Sequence, residues 1–290
     1  MNKPASVKPV GKLYQRKDVE RLALEFQAAY PGFKPEICLY TGTGFASFAS
    51  EIQDSVTLAY KDLPYFPAEL QTPMHVGEFV LGKVSGAPVF LARGKMFLLD
   101  GVPAQLIALP VRLAYLLGCR TLIYTNTTGA INPNFRPGEF VFLTNHINLM
   151  AQNPLVGEHN GEWGQMFFDM TYPYDAGLRA LGEEVAAGLG LKVQEGVYSG
   201  VLGPSFETAA EIQMMARLGG DVVGMSTVME VVAARQLGMK VLGISFISNM
   251  AAGVSSAPVE NEDVQRVART SQETYARLIT AVIAKLMASL

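Results

Sequence analysis

The residues best suited to chemistry in this sequence follow apolar runs, at the points where predicted β-strands end. Thr41-Gly-Thr-Gly-Phe-Ala46 comes directly after one such run, and Thr125-Asn-Thr-Thr-Gly-Ala-Ile-Asn132 lies at the end of another. In the first stretch, small residues let backbone N–H groups approach an anion, and Thr43 adds a hydroxyl donor. The second stretch exposes hydroxyls and an amide together, and open α/β sheets bind ligands at the carboxyl ends of their strands. Both stretches predict contact with a small polar or anionic ligand.

Three later stretches have the same character. They are Gly203-Pro-Ser-Phe-Glu-Thr208, Gly224-Met-Ser-Thr-Val-Met-Glu230 and the pair Ser248-Asn249, which ends the apolar run Val241–Ile247. Each of the three also fits ordinary strand-to-helix structure when it is considered alone.

Structural interpretations are therefore open for the individual stretches. Residues 41–46 are equally compatible with a tight turn, and residues 125–132 with an Asx-turn. Glu207 suits the start of a helix, where the helix dipole favours a carboxylate. A dinucleotide site is disfavoured, because Gly-x-Gly-x-x-Gly needs a glycine where Ser47 stands and no clear acidic partner follows about 20 residues later.

Alternating strand and helix patterns must position these stretches. The predicted strands are Ile37–Thr41, Glu78–Val84, Pro88–Ala92, Thr121–Thr125, Val141–Thr144, Lys192–Val201, Val222-Val223 and Val241–Ser248. The predicted helices are Asp18–Tyr30, Val102–Leu117 with a kink or division at Pro110, Asp175–Leu189, Glu207–Leu218, Met229–Leu237 and a last one from about Glu262 to Ala288. No linker or repeat divides the chain, so we predict one α/β domain over residues 1–290, with residues 1–15 as a polar N-terminal extension.

The composition excludes several classes of protein. Hydrophobic residues make up 49% and charged residues 17%, which is typical of a well-buried globular chain. A net charge of −3 with scattered Lys and Arg argues against nucleic acid or an anionic membrane as a partner. The polar N-terminus lacks the apolar core of a signal peptide, and the apolar runs are too short to span a bilayer, so we expect a cytoplasmic protein. Cys38 and Cys119 are expected to be buried thiols, and the three histidines lack metal-ligand spacing.

Taken together, the motifs resemble the purine nucleoside phosphorylase family from about Glu36 to the C-terminus. The most specific stretches are His146-Ile-Asn-Leu149, Gln152-Asn-Pro-Leu155, Gly203–Thr208, and Gly224–Val228 followed by Glu230. The sequence looks like the trimeric, 6-oxopurine branch, with the methylthioadenosine phosphorylases as relatives. The resemblance implies a mixed central β-sheet surrounded by helices, a homotrimer, and a purine nucleoside and phosphate as substrates, with no metal or organic cofactor.

The resemblance also implies roles at the purine and sugar. Asn249 would hydrogen-bond the base at N7 and the 6-oxo oxygen, where it stabilises the charge that develops on the leaving purine. Glu207 would accept from the base N1–H, which suits 6-oxopurines because an ionised carboxylate is an acceptor only. The remaining positions assigned to the base and ribose are Phe206, Val223, Met225, Ser248, Leu99, Asn261 and, from a neighbouring subunit, Phe167.

The positions that match the family's phosphate site are only partly preserved. They are Thr43, Lys95, Asn126, Thr127 and Ser226, with His75 as the matching catalytic histidine or, alternatively, a satisfied loop histidine. The family's loop carries arginine, then histidine two residues later, then tyrosine after two more, whereas this chain has Lys95, Phe97 and Leu99. Lysine keeps the charge without the bidentate fork, and neither phenylalanine nor leucine can donate a hydrogen bond. Near the start of the last helix, Asn261 stands where the family has the histidine that meets the sugar 5′-hydroxyl.

The positions that match the family's base site are intact, whereas those that match its phosphate site are altered. Three hypotheses follow. The chain is an active phosphorylase with weakened phosphate affinity, a purine-binding protein without turnover, or a nucleosidase in which water replaces phosphate. The first is favoured, because Glu207, Asn249, Ser226 and His75 are all present.

Overall fold

The computed structural model describes residues 13–42, 44–67, 70, 76–158, 161–255 and 259–289 of the chain. The strands are β1 Ile37–Thr41, β2 Gln53–Ala59, β3 Glu78–Val84, β4 Ala87–Arg93, β5 Thr121–Ala130, β6 Phe140–Asn148, β7 Val193–Gly200, β8 Val222–Gly224 and β9 Lys240–Met250. The α-helices are α1 Arg16–Ala29, α2 Ala104–Ile107, α3 Leu109–Leu117, α4 Ala176–Gly188, α5 Ala209–Arg217, α6 Val228–Gln236, α7 Asn261–Thr270 and α8 Gln272–Ala288. Short 3-10 helices cover Ala46–Glu51, Tyr60–Asp62 and Leu98–Asp100.

The strands form one mixed sheet that partly closes on itself. Their order is β2-β3-β4-β1-β5-β8-β7-β6-β9, and β5 also pairs with β9. Strands β5, β8, β7, β6 and β9 therefore make a ring, from which β1, β4, β3 and β2 extend as an open sheet. Pairing is parallel between β1 and both β4 and β5, and antiparallel between β5 and β8 and between β6 and β9.

The closure leaves a gap along one edge of β5. Its first residues pair with β1 as far as Tyr124, while β8 pairs only with Gly129 and Ala130. Among the described strands, residues 125–128 therefore have a ladder partner in β9 alone. Between β1 and β8 this part of β5 thus has no described strand beside it, and Asn126, Thr127 and Thr128 line a cavity.

Helices cover both sides of the sheet, because each buries an apolar face. Helix α1 turns Val19, Leu22 and Phe26 inward, and a core on that side also holds residues of α3 and α6. The other core contains residues of α4 and α8. The predicted single-domain α/β architecture, with a mixed sheet surrounded by helices, is confirmed.

Several predicted boundaries were wrong. The predicted strands 121–125 and 141–144 run on to Ala130 and Asn148, because long-range pairing with β9 and β7 carries them past their apolar cores. The helix predicted for 102–117 is divided at Ala108 rather than at Pro110, and the last helix is broken at Ser271. Strand β2 was missed, since its exposed residues at the sheet edge show no apolar alternation. Among the described residues, no helix is both long and apolar enough to cross a membrane.

Candidate active site

A cavity of about 490 Å³ lies at the gap beside β5. It is lined by eleven of the residues that the sequence assigns to ligand contact: Lys95, Leu99, Asn126, Thr127, Phe206, Glu207, Val223, Met225, Ser226, Ser248 and Asn249. Phe97, Thr128, Gly129, Pro204, Gly224, Ala251, Val259, Val264 and Gln265 complete the described lining. Four of the five stretches that were ambiguous one by one thus contribute to one cavity. The described residues of the first stretch, 41–46, are not in its lining, and both Thr43 and His75 lie outside the described residues.

The loop after β1 approaches β5 closely at the cavity. A Cβ atom on Gly42 would lie 2.8 Å from the Cα atom of Asn126, so only glycine allows this contact. Residues 41–46 and 125–132 were each compatible with an isolated turn, and the close approach places their two strand ends side by side. The side chain of Asn261 lies outside the described part of the chain.

One end of the cavity carries the side-chain amide of Asn249. The pairing of β5 with β9 shifts register after Thr128, which brings Asn249 opposite Gly129. The Ser248 hydroxyl donates to Asn249 Oδ1 at 2.7 Å, and Asn249 Nδ2 donates to the carbonyl oxygen of Met250 at 3.0 Å, so the amide has a fixed orientation.

Glu207 is half-buried in the lining of the cavity and does not cap a helix. The N-cap of α5 is Thr208, whose hydroxyl accepts from the backbone N–H of Glu211 and whose own N–H donates to the Glu211 carboxylate. The capping interpretation of Glu207 was therefore wrong. Burial raises the pKa of the Glu207 carboxyl, its own backbone N–H opposes the rise, and the charge of Glu211 adds to it.

The other end of the cavity contains a strained turn. Thr227 has φ 78° and ψ −53°, and the N–H of Val228 donates to the carbonyl oxygen of Ser226 at 2.8 Å. These values define a γ-turn with positive φ, which is the rarer form of this turn. It is unfavourable for a β-branched residue and costs on the order of 1–3 kcal/mol. Such strain persists only where neighbouring groups hold it, and it is common at ligand-binding turns.

Two tyrosine hydroxyls hold the backbone of this turn. The N–H of Ser226 donates to Tyr198 Oη at 3.0 Å, and the N–H of Thr227 donates to Tyr124 Oη at 3.2 Å. On the side-chain side, Asn126 Nδ2 donates to Thr227 Oγ1 at 2.7 Å, and Ser226 Oγ lies 3.1 Å from that same oxygen. The turn is therefore fixed by both its backbone and its side chains.

Lys95 lines the cavity but directs its ammonium group inward. The residue is 1% exposed, and Nζ donates to the carbonyl oxygen of Thr125 at 2.7 Å while lying 4.0 Å from the centroid of the Tyr124 ring. Burial lowers the pKa of Lys95, and the negative charge of Glu230 opposes that decrease. Burial raises the pKa of Glu230, which the charge of Lys95 opposes, and Tyr124 Oη donates to Glu230 Oε1 at 2.7 Å.

Two expectations about individual side chains can be compared with the structure. Phe97 and Leu99 line the cavity with apolar surface, as their types require. Phe167 does not line it and is 86% exposed, so it contributes nothing to the cavity of its own chain.

Sequence reasoning missed the groups that support the turn. Tyr124 and Tyr198 lie within apolar runs and were interpreted only as strand residues, and Glu230 was noted only as part of a motif. The one signal in the sequence is Glu230, a carboxylate that stands among apolar residues near the start of the helix Val228–Gln236. Most residues of this helix are buried in the structure.

The partly closed mixed sheet and its cavity define a class of α/β protein, the phosphorylase superfamily, whose family model matches residues 36–284. Within this class, "Purine nucleoside phosphorylase 1" of Bacillus subtilis is 39% identical over 92% of this chain and 98% of that protein. The purine nucleoside phosphorylase of Bos taurus is 32% identical over 88% of this chain and 91% of that protein. The chain belongs to the purine nucleoside phosphorylase family.

Solved structures agree with this assignment. Schistosoma mansoni purine nucleoside phosphorylase in complex with inosine has a TM-score of 0.88 and 30% identity, covering 94% of this chain and 98% of that one. A Schistosoma purine nucleoside phosphorylase in complex with hypoxanthine has a TM-score of 0.87 and 34% identity, covering 93% of this chain and 97% of that one.

Proposed function

We propose that this chain cleaves 6-oxopurine nucleosides and their deoxy forms by phosphorolysis. A phosphate oxygen attacks the anomeric carbon, and the bond from that carbon to the purine breaks. The electron pair of this bond leaves with the purine, so the products are a free purine base and pentose 1-phosphate. The observation that carries the proposal is one cavity whose lining includes an oriented amide, a carboxylate and a hydroxyl-bearing turn.

The amide end suits the leaving purine. Asn249 can donate where negative charge develops on the base, and a preoriented donor is most effective there because it needs no reorganisation. Glu207, when ionised, accepts from the N1–H of a 6-oxopurine and has no donor for the bare N1 of adenine. Phe206 and Val223 supply apolar surface for the ring, and Met225 lies in the wall for the sugar.

The part of the cavity that contains the turn at Ser226 and Thr227 suits phosphate as co-substrate. Thr127 and Ser226 offer hydroxyl donors, and the buried charge of Lys95 adds a favourable field without a bidentate contact. Asn126 is held by its bond to Thr227, and the proposed roles of Thr43 and His75 belong to residues outside the described part. The reaction as proposed uses no metal or organic cofactor.

We also propose a cytoplasmic homotrimer in which Phe167 closes the sugar pocket of a neighbouring subunit. Its 86% exposure supports this role, because a large apolar ring on the surface is suited to contact with another chain.

Inosine cleavage with and without inorganic phosphate tests the reaction. We expect hypoxanthine and ribose 1-phosphate to form in equal amounts, and cleavage to stop when phosphate is removed. Free ribose in the absence of phosphate would instead establish a nucleosidase. Binding of hypoxanthine without any cleavage would establish a binding protein.

A further inference from the structure

We propose that Tyr124, Glu230 and Lys95 are positioning residues that aim the Ser226 hydroxyl at the phosphate while none of them bonds it. The proposal rests on the proposed phosphorolysis, and it concerns a short buried hydrogen-bonded chain that ends at the strained turn. Glu230 Oε1 accepts from Tyr124 Oη, Tyr124 Oη accepts from the N–H of Thr227, and the ammonium group of Lys95 lies against the Tyr124 ring.

The direction of each hydrogen bond in this chain is set by chemistry. An ionised Glu230 can only accept, so Tyr124 Oη gives its single proton to Glu230 Oε1 at 2.7 Å. That leaves the lone pairs of Tyr124 Oη for the N–H of Thr227 at 3.2 Å. Without the Glu230 acceptor the Tyr124 hydroxyl could rotate, so Glu230 fixes the direction in which Tyr124 presents its lone pairs to the turn.

Lys95 places a positive charge near this carboxylate, and its attraction opposes the rise that burial causes in the pKa of Glu230. Its Nζ bonds to the carbonyl oxygen of Thr125 at 2.7 Å and lies against the Tyr124 ring, so the ammonium is held beside the chain rather than in the ligand space. A buried carboxylate needs a nearby opposite charge, and Lys95 is the one whose attraction acts on Glu230.

The result of the chain is a directed hydroxyl. Because tyrosine hydroxyls take the N–H groups of both Ser226 and Thr227, the Ser226 side chain is the donor that the turn offers to a ligand. Asn126 Nδ2 donates to Thr227 Oγ1, and Ser226 Oγ lies 3.1 Å from that oxygen, so the Ser226 hydroxyl is held beside the Thr227 hydroxyl at the cavity wall. Hydrogen bonds arranged in such a series strengthen one another.

Tyr124→Phe tests the chain with the least change in shape. We expect the phosphate KM to rise about tenfold while the inosine KM stays within about twofold, since the amide end is untouched. Tyr174→Phe is the matched control, because it also removes a buried tyrosine hydroxyl, the one that lies 3.3 Å from His146 Nδ1. The control should leave the phosphate KM unchanged, and an equal rise in both variants would overturn the proposal.

A double-mutant cycle separates positioning from direct contact for Lys95. If Lys95 acts through Glu230 and Tyr124, Lys95→Met combined with Tyr124→Phe should be no worse for phosphate than the stronger single variant. If Lys95 bonds phosphate itself, the two effects should multiply, and its positioning role would be overturned. Glu230→Gln in place of Lys95→Met repeats the cycle should the lysine variant not fold.

Amide hydrogen exchange tests the turn independently of activity. Tyr124→Phe should speed exchange in the segment 224–228 relative to both the parent and Tyr174→Phe, with no ligand present. Unchanged exchange there would overturn the proposal even if phosphorolysis is found. An unmodified protein without phosphate-dependent cleavage would overturn the proposed function, while faster exchange in the variant would still support the chain of hydrogen bonds.

Discussion

At the scale of single residues, we expect Glu207 to make binding of the base depend on pH. Its pKa is raised chiefly by burial, so the carboxyl takes up a proton at a higher pH than an exposed glutamate would. The protonated form cannot accept from the base N1–H as an ionised carboxylate does. We therefore expect kcat/KM for inosine to fall as the pH decreases, and the fall should begin at a pH above the usual pKa range of glutamate. Glu207→Gln should lower kcat/KM by about 10- to 100-fold, as for loss of a charged hydrogen bond, and flatten that acid limb. A pH profile of the parent and variant gives the answer, and an acid limb that survives the substitution would remove Glu207 from the site.

A second prediction at this scale concerns Leu99 and the preference among sugars. Leu99 and its neighbour Phe97 line the cavity and cannot bond a ribose hydroxyl, and a buried unpaired hydroxyl costs about 1–3 kcal/mol. We therefore expect kcat/KM for 2′-deoxyinosine or 3′-deoxyinosine to equal or exceed that for inosine. Leu99→Tyr, which restores a hydroxyl, should shift the ratio toward inosine, with Leu99→Phe as the control for ring size. A parent that already favours inosine strongly would show that another group pairs with the sugar hydroxyls.

At the scale of elements, His146 on β6 links stability to pH. Burial lowers the pKa of His146 to about 4 from an ordinary 6.5, beside the hydroxyl of Tyr174. The neutral form is therefore favoured by folding, so its contribution is complete above pH 6.5 and is lost as the pH falls toward 4. The loss should reach about 2 kcal/mol at pH 5. Denaturant unfolding of the parent and His146→Gln at pH 7 and pH 5 measures it, and the variant should lose about 2 kcal/mol less between the two pH values. Equal losses would show that His146 titrates normally.

The same scale explains what the sequence could and could not predict. Strand ends are readable, because an apolar run followed by polar residues such as 125–132 has a local pattern, and those ends did meet in one cavity. Closure of the sheet between β5 and β9 is a contact across more than a hundred residues, so no local pattern contains it. Tyr124 has the composition of strand core, and its role as the acceptor for Thr227 follows only from the fold. The direction of the Lys95 side chain could not be predicted from the sequence either, because a lysine in a predicted loop is typical of a ligand contact. In the structure its ammonium group points inward.

At the scale of the whole molecule, the proposed trimer makes each active site depend on two chains. Phe167 and Tyr172 are 86% and 78% exposed, and Phe167 lies outside its own cavity. Phe167→Ala should raise the nucleoside KM without lowering the melting temperature, because no core contact is lost. Leu24→Ala is the control, since Leu24 is an exposed apolar residue, 64% accessible, on α1. Light scattering should give three times the mass of one chain, and a fully active monomer would contradict the assembly.

Mixing two impaired variants provides a stricter test of the shared site. A Phe167→Ala subunit keeps its own Asn249, and an Asn249→Ala subunit keeps its own Phe167. If Phe167 serves a neighbour, a mixed trimer formed by co-expression contains intact sites wherever the first subunit receives the ring of the second. Activity at low inosine concentration should then exceed that of either variant prepared alone. If each Phe167 serves its own chain, every site carries one of the two defects, and mixing can restore nothing.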